Sequence, residues 1–152
     1  MRLKRRRIDF AHGPAGYLDL GPAEGHGRPA AEPPVVLVHG FAGDALTWQF
    51  VLPHLARRRR VLALDLPGHG GSTQDVGDGS IEGLADWLWR ALDALGVGAA
   101  HLVGHSMGGK TALLAAQTQP DRAASLTIIS CAGIAPAVDV DLLRRTLDAR
   151  DL

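Results

Sequence analysis

The chain has 152 residues, enough for one domain with a buried core. Sixteen Lys and Arg are balanced by sixteen Asp and Glu, so net charge gives no reason to expect a nucleic-acid or membrane partner. A single cysteine, Cys131, excludes an internal disulfide and a cysteine-based metal cluster within the chain; its neighbours Ile128, Ile129 and Ala132 predict a buried structural thiol.

The basic start (Arg2, Lys4, Arg5-Arg6-Arg7) is not followed by an apolar stretch, so no secretory signal is readable. No window approaches the ~20 apolar residues of a membrane span, and the expectation is a soluble, cytoplasmic protein. That run and Arg57 to Arg60 are read as solvated surface rather than anion sites. Residues 1–34 are basic and then rich in Gly and Pro, with Tyr17 to Leu20 as a possible short edge strand and Gly21 to Pro34 as a loop.

Residues 35–152 carry a different pattern. Short apolar runs at Val35 to Val38, Val61 to Leu64, His101 to Val103 and Leu126 to Ile129 are separated by helical stretches. Apolar strands alternating with helices predict an α/β fold with a mostly parallel sheet and helices on both faces. Leu84, Trp87, Leu88, Ala91, Leu92 and Leu95 make one apolar helix face, with Ser80 as N-cap and Gly96 as stop. Its tryptophans are read as packing groups. A further helix is predicted from Met107 to Gln119, ended by Pro120, with small residues Ala112, Ala115 and Ala116 allowing close approach to the sheet. Val138 to Leu147 begins another amphipathic stretch.

The strand ending at Val103 runs into Gly104-His105-Ser106-Met107-Gly108-Gly109 and directly into that helix. A strand, a sharp turn and a helix are the setting of a nucleophile elbow, which makes Ser106 the candidate nucleophile. The glycines at 104 and 108 leave its hydroxyl unobstructed. A serine attacking a carbonyl also needs donors aimed at the developing oxyanion. The Met107 amide at the helix N-terminus is one; the Phe41 amide, in His39-Gly40-Phe41-Ala42-Gly43 after the first apolar strand, is the other. Gly40 and Gly43 permit the close backbone approach of that loop, and Gly40 is the candidate substrate contact.

In these three stretches, His39 to Asp44, then Asp65-Leu66-Pro67-Gly68-His69-Gly70, then Gly104 to Gly109, the chain resembles the α/β-hydrolase superfamily in both order and spacing. Over Val35 to Gly71, with Ala132-Gly133, it is most similar to the hydrolase-like acyltransferase components of acetoin-cleaving dehydrogenase complexes. The resemblance implies a serine-dependent hydrolase or acyltransferase acting on a small-molecule ester, thioester or related carbonyl substrate, with no cofactor. It also implies chain order Ser, then Asp or Glu, then His. After Ser106 the sequence has Asp121, Asp139, Asp141, Asp148 and Asp151 but no histidine, so no acid or base is assigned. The expectation is an N-terminal half-domain, truncated before the last strands and lid, inactive alone and able to self-associate through an exposed sheet edge.

Two rival readings share these residues. Gly104 to Thr111 also fits the phosphate-binding pattern G-x-x-x-x-G-K-[ST], with Lys110 and Thr111 as the phosphate and metal contacts. Against it, the following strand ends Ile128-Ile129-Ser130-Cys131, without the magnesium-binding Asp such a site needs. The other rival is a non-catalytic interaction protein that keeps half the fold. His39 and His105 are read as buried hydrogen-bonding residues beside the site. His12, His26, His54, His69 and His101 show no ligand spacing, so no metal is expected.

Overall fold

The computed structural model describes residues 3–22, 32–131 and 133. Six strands, β1 (Arg6–Phe10), β2 (Gly13–Leu20), β3 (Val35–Val38), β4 (Val61–Leu64), β5 (Ala100–His105) and β6 (Ala123–Ile129), form one sheet in the order β1-β2-β4-β3-β5-β6. The pairs β3/β4, β3/β5 and β5/β6 are parallel; β1/β2 and β2/β4 are antiparallel. Helices α1 (Leu52–Leu55), α2 (Ile81–Ala94) and α3 (Met107–Thr118) cover it, with 3₁₀ turns at Ala45–Trp48 and Pro120–Arg122.

Alternation along the strands divides the core between two faces. Val36, Val38, Leu62, Leu64 and Leu102 pack with Leu88, Leu92, Ala112 and Ala115 of α2 and α3. Leu37, Val61 and Ala63 point the other way, onto Ala45, Trp48, Leu52 and Ala56. The α/β architecture with helices on both faces is therefore as the sequence predicts.

Helix α2 buries Leu84, Trp87, Leu88, Ala91 and Leu92 on one stripe. The Ser80 hydroxyl caps it, accepting the Gly83 amide at 3.0 Å, and Gly96 leaves it with φ +69°. Trp89 ties α2 to α3: its Nε1 donates to the Ala115 carbonyl at 2.9 Å, and the Arg122 guanidinium lies 4.4 Å from the ring centroid. Helix α3 ends at Thr118, just ahead of Pro120.

Several expectations need correction. Tyr17 to Leu20 is the end of an eight-residue strand that lies inside the sheet, between β1 and β4. The edge belongs to β1, whose sequence Arg-Arg-Ile-Asp-Phe carries too much charge to read as a strand. The basic runs are not uniformly solvated. Arg5 Nε reaches the fully buried Asp65 at 2.9 Å, and Arg60 makes a forked pair with Asp19 at 3.0 and 3.1 Å. Cys131 is half-buried rather than buried, because it follows β6, whose residues Ser125, Thr127, Ile128 and Ile129 are exposed. Most of the loop at 21–34 and all of Val138 to Leu147 lie outside the described residues.

Candidate active site

Strand β5 ends at His105 and α3 begins at Met107, so Ser106 alone makes the turn. Its backbone has φ +53° and ψ −118°, a conformation that costs a non-glycine residue about 1–3 kcal/mol and persists only when its surroundings impose it. The surroundings do so. The Ser106 amide donates to the Ile129 carbonyl of β6 at 2.9 Å, and the Ser106 carbonyl accepts from Gly109 and Lys110 at 3.0 and 3.2 Å. The side chain makes no capping bond to the helix.

Close backbone approach holds the elbow against the sheet. A Cβ on Gly108 would strike the carbonyl oxygens of Val38 and His39 at the end of β3, and one on Gly104 would strike the Gly108 backbone. Side chains at these positions would push α3 away from β3 and β5 and open the turn.

The loop leaving β3 passes directly beside the serine. A Cβ on Gly40 would lie 3.0 Å from His105 Nδ1 and 3.1 Å from Ser106 Cβ. Phe41 follows, 45% exposed, and then Ala42 at φ +57°. Among the described residues, neither the Phe41 nor the Met107 amide donates to a protein acceptor. The structure thus brings Ser106, Gly40, Phe41 and Met107 to one end of two adjacent parallel strands.

Three side chains brace this arrangement. Buried His39 takes the Leu66 amide on Nε2 at 3.0 Å and donates from Nδ1 to the Gly40 carbonyl at 2.7 Å, so the hydrogen bonds assign it a neutral, Nδ1-protonated ring. Burial lowers its pKa; nearby His69 adds to that effect, while the Gly40 bond opposes it. His69 sits 5.0 Å from His39, ring to ring, and accepts the Ala42 amide on Nε2 at 3.2 Å. Asp65, at the end of β4, accepts the Ala45 and Gly71 amides at 2.7 and 2.8 Å as well as Arg5. The sequence marks His69 and Asp65 as parts of a turn but not these contacts, whose partners lie 20 to 60 residues away or are backbone amides. His105 closes β5 half-buried beside Gly40.

The phosphate-loop pattern finds no cradle. Such a loop wraps a phosphate with several backbone amides between strand and helix, whereas here one residue separates them. Gly104 lies in β5, and Lys110 and Thr111 lie in α3, where the Thr111 hydroxyl donates to the Met107 carbonyl at 3.0 Å. No group of three His, Cys, Asp or Glu placed to hold a metal occurs among the described residues, nor is any described helix long and apolar enough to cross a membrane.

A serine on the turn between β5 and α3, flanked by a loop amide and a helix N-terminal amide on a sheet of this strand order, defines a protein class: residues 33–152 match the alpha/beta hydrolase fold, and the chain belongs to that family. It is similar to the dihydrolipoyllysine-residue acetyltransferase component of the acetoin cleaving system of Pseudomonas putida, 47% identical over 111 residues, covering 73% of this chain and 30% of that protein. The component of the same name from Cupriavidus necator is 42% identical over 105 residues, covering 69% and 28%. Among solved structures, a bacterial membrane phospholipase A superposes with a TM-score of 0.77 at 32% identity, over 94% of this chain and 46% of that one. The chain thus spans about a third of the length of these curated relatives and about half of that solved structure.

Proposed function

We propose that this chain carries the nucleophile and oxyanion half of a serine acyl-transfer site. Ser106 Oγ attacks the carbonyl carbon of a small-molecule ester, thioester or related substrate and loses its proton to a base. The carbonyl oxygen becomes an oxyanion held by the Phe41 and Met107 amides, and Gly40 leaves room for the acyl carbon. Collapse expels the alcohol or thiol, which takes up the proton, and leaves an acyl-serine. Water is the favoured acceptor, with another nucleophile as the alternative in keeping with the acetyltransferase relatives.

The observation that supports this reading most is the pairing of a serine held at φ +53° with two amides that have no acceptor among the described residues, Phe41 on the loop after β3 and Met107 at the N-terminus of α3. The base is not among the residues after Ser106, which include no histidine. Loss of triad function costs on the order of 10⁶ in rate, and an oxyanion site with binding alone retains ~10³–10⁴ over water.

A fluorophosphonate probe tests the assignment. Slow covalent labelling is expected, mapped to the peptide containing Ser106 and absent from Ser106→Ala. Labelling that persists in Ser106→Ala, or a folded chain that never reacts at Ser106, overturns it.

A further inference from the structure

His69 stands on the turn after β4, outside the elbow, and its side chain is aimed at the oxyanion loop. Ala42, whose amide it binds, is one of only three non-glycine residues with positive φ among the described residues. A residue with a Cβ stays in that region only when neighbouring contacts impose it.

The hydrogen bonds show how. Peptide units are planar, so fixing one end of a unit orients the other. The Gly40 carbonyl belongs to the same plane as the Phe41 amide, and it accepts from His39 Nδ1 at 2.7 Å and from the Gly43 amide at 3.1 Å. The next plane carries the Ala42 amide, which donates to His69 Nε2 at 3.2 Å. Phe41 is the joint between the two planes, so a pair of imidazoles sets both of its backbone angles. His69 is itself oriented, because its Nδ1 donates to the Pro67 carbonyl at 2.9 Å, which leaves Nε2 as the acceptor. The Phe41 ring meets His69 edge-on, with centroids 6.2 Å apart.

We propose that His69 is a positioning residue for the reaction: by accepting the Ala42 amide it locks the Phe41 amide in its direction toward the oxyanion. This rests on the reading of Ser106, Phe41 and Met107 given above. His69 touches no reacting atom, and its effect passes through the loop.

The experiment follows Ala42 amide hydrogen exchange by NMR in the chain, in His69→Leu and in His69→Gln, whose side-chain oxygen can replace Nε2. The Gly83 amide, which donates to Ser80 and has no bond to His69, reports on the fold. Loss of one hydrogen bond is expected to raise Ala42 exchange about tenfold in His69→Leu while Gly83 is unchanged. Residual fluorophosphonate labelling of Ser106 should slow by about the same factor, and His69→Gln should recover both in part. If His69→Leu does not fold, the imidazole nitrogen spectrum of the unaltered chain decides, since a protonated Nε2 at neutral pH overturns the lock. Ala42 exchange indifferent to His69→Leu, or labelling that holds its rate while Ala42 opens, also overturns it. Failure of Ser106 to label in any variant, with Ala42 responding as stated, instead overturns the reading of the site on which the proposal rests.

Discussion

Gly40 and Ser106 stand so close that a single methyl group on Gly40 would lie 3.1 Å from Ser106 Cβ and 3.0 Å from His105 Nδ1. Gly40→Ala therefore has to displace either the loop after β3 or the turn at Ser106. Because the elbow is bonded to β6 and α3 on both sides, the loop moves. Residual labelling of Ser106 should fall by about 10²-fold, the scale of losing one oxyanion donor, while thermal unfolding shifts little. Labelling at the original rate would show that the Phe41 amide takes no part.

The carboxylate of Asp65 is fully buried and serves three donors. In Asp65→Ala the Ala45 and Gly71 amides lose their acceptor. Arg5 is partly exposed and keeps its 2.8 Å contact with Asp44, so most of the loss comes from the amides. A destabilisation of about 3 kcal/mol is expected, read from the midpoint of urea unfolding. A midpoint unchanged from the parent would contradict the bracing role.

Acid should weaken the fold through His39. The ring faces His69, Asp65 and Asp44, and burial lowers its pKa below the usual 6.5. The unfolded chain takes up a proton near that value, while the folded chain resists. Stability is thus full above about pH 6.5 and is lost as pH falls from there through the lowered folded value, with a slope of at most about 1.4 kcal/mol per pH unit from this group. Unfolding titrations of the chain and of His39→Asn between neutral and mildly acidic pH should differ in slope over this window, and parallel curves would remove His39 as the cause.

Among the described residues β6 has no neighbour on its outer edge, contains no charged side chain, and leaves Ile128 and Ile129 37% and 42% exposed. Beside it Trp48, Val51, Leu55, Val103 and Ile129 line an open, mainly apolar hollow of about 470 Å³. Strands of this kind pair with copies of themselves unless charge forbids it. Sedimentation should show self-association that grows with concentration and is suppressed by Ile128→Lys, and a monomer at all concentrations would refute it.

What the sequence made legible was whatever rests on short-range pattern. The runs at Val35 to Val38 and Val61 to Leu64 are buried at nearly every residue, so they read as strands without knowledge of their partners. The elbow was legible because a glycine-flanked serine between strand and helix has few other uses. β1 was hidden because its place in the sheet comes from pairing with β2, not from its own apolar content. The Arg5 to Asp65 contact joins residues in different motifs, and only the sheet brings them together. His69 binds a backbone amide, a partner that has no signature in sequence.

The strand order has one more consequence. From β3 the chain moves to β4 on one side, and after α2 it returns to place β5 on the other. The connections leaving the ends of β3 and β5 therefore diverge over opposite faces and open a crevice at the topological switch point between them. His39, Gly40 and Ser106 are the first residues past that divide, so the threading of the backbone brings them together before any side chain is chosen.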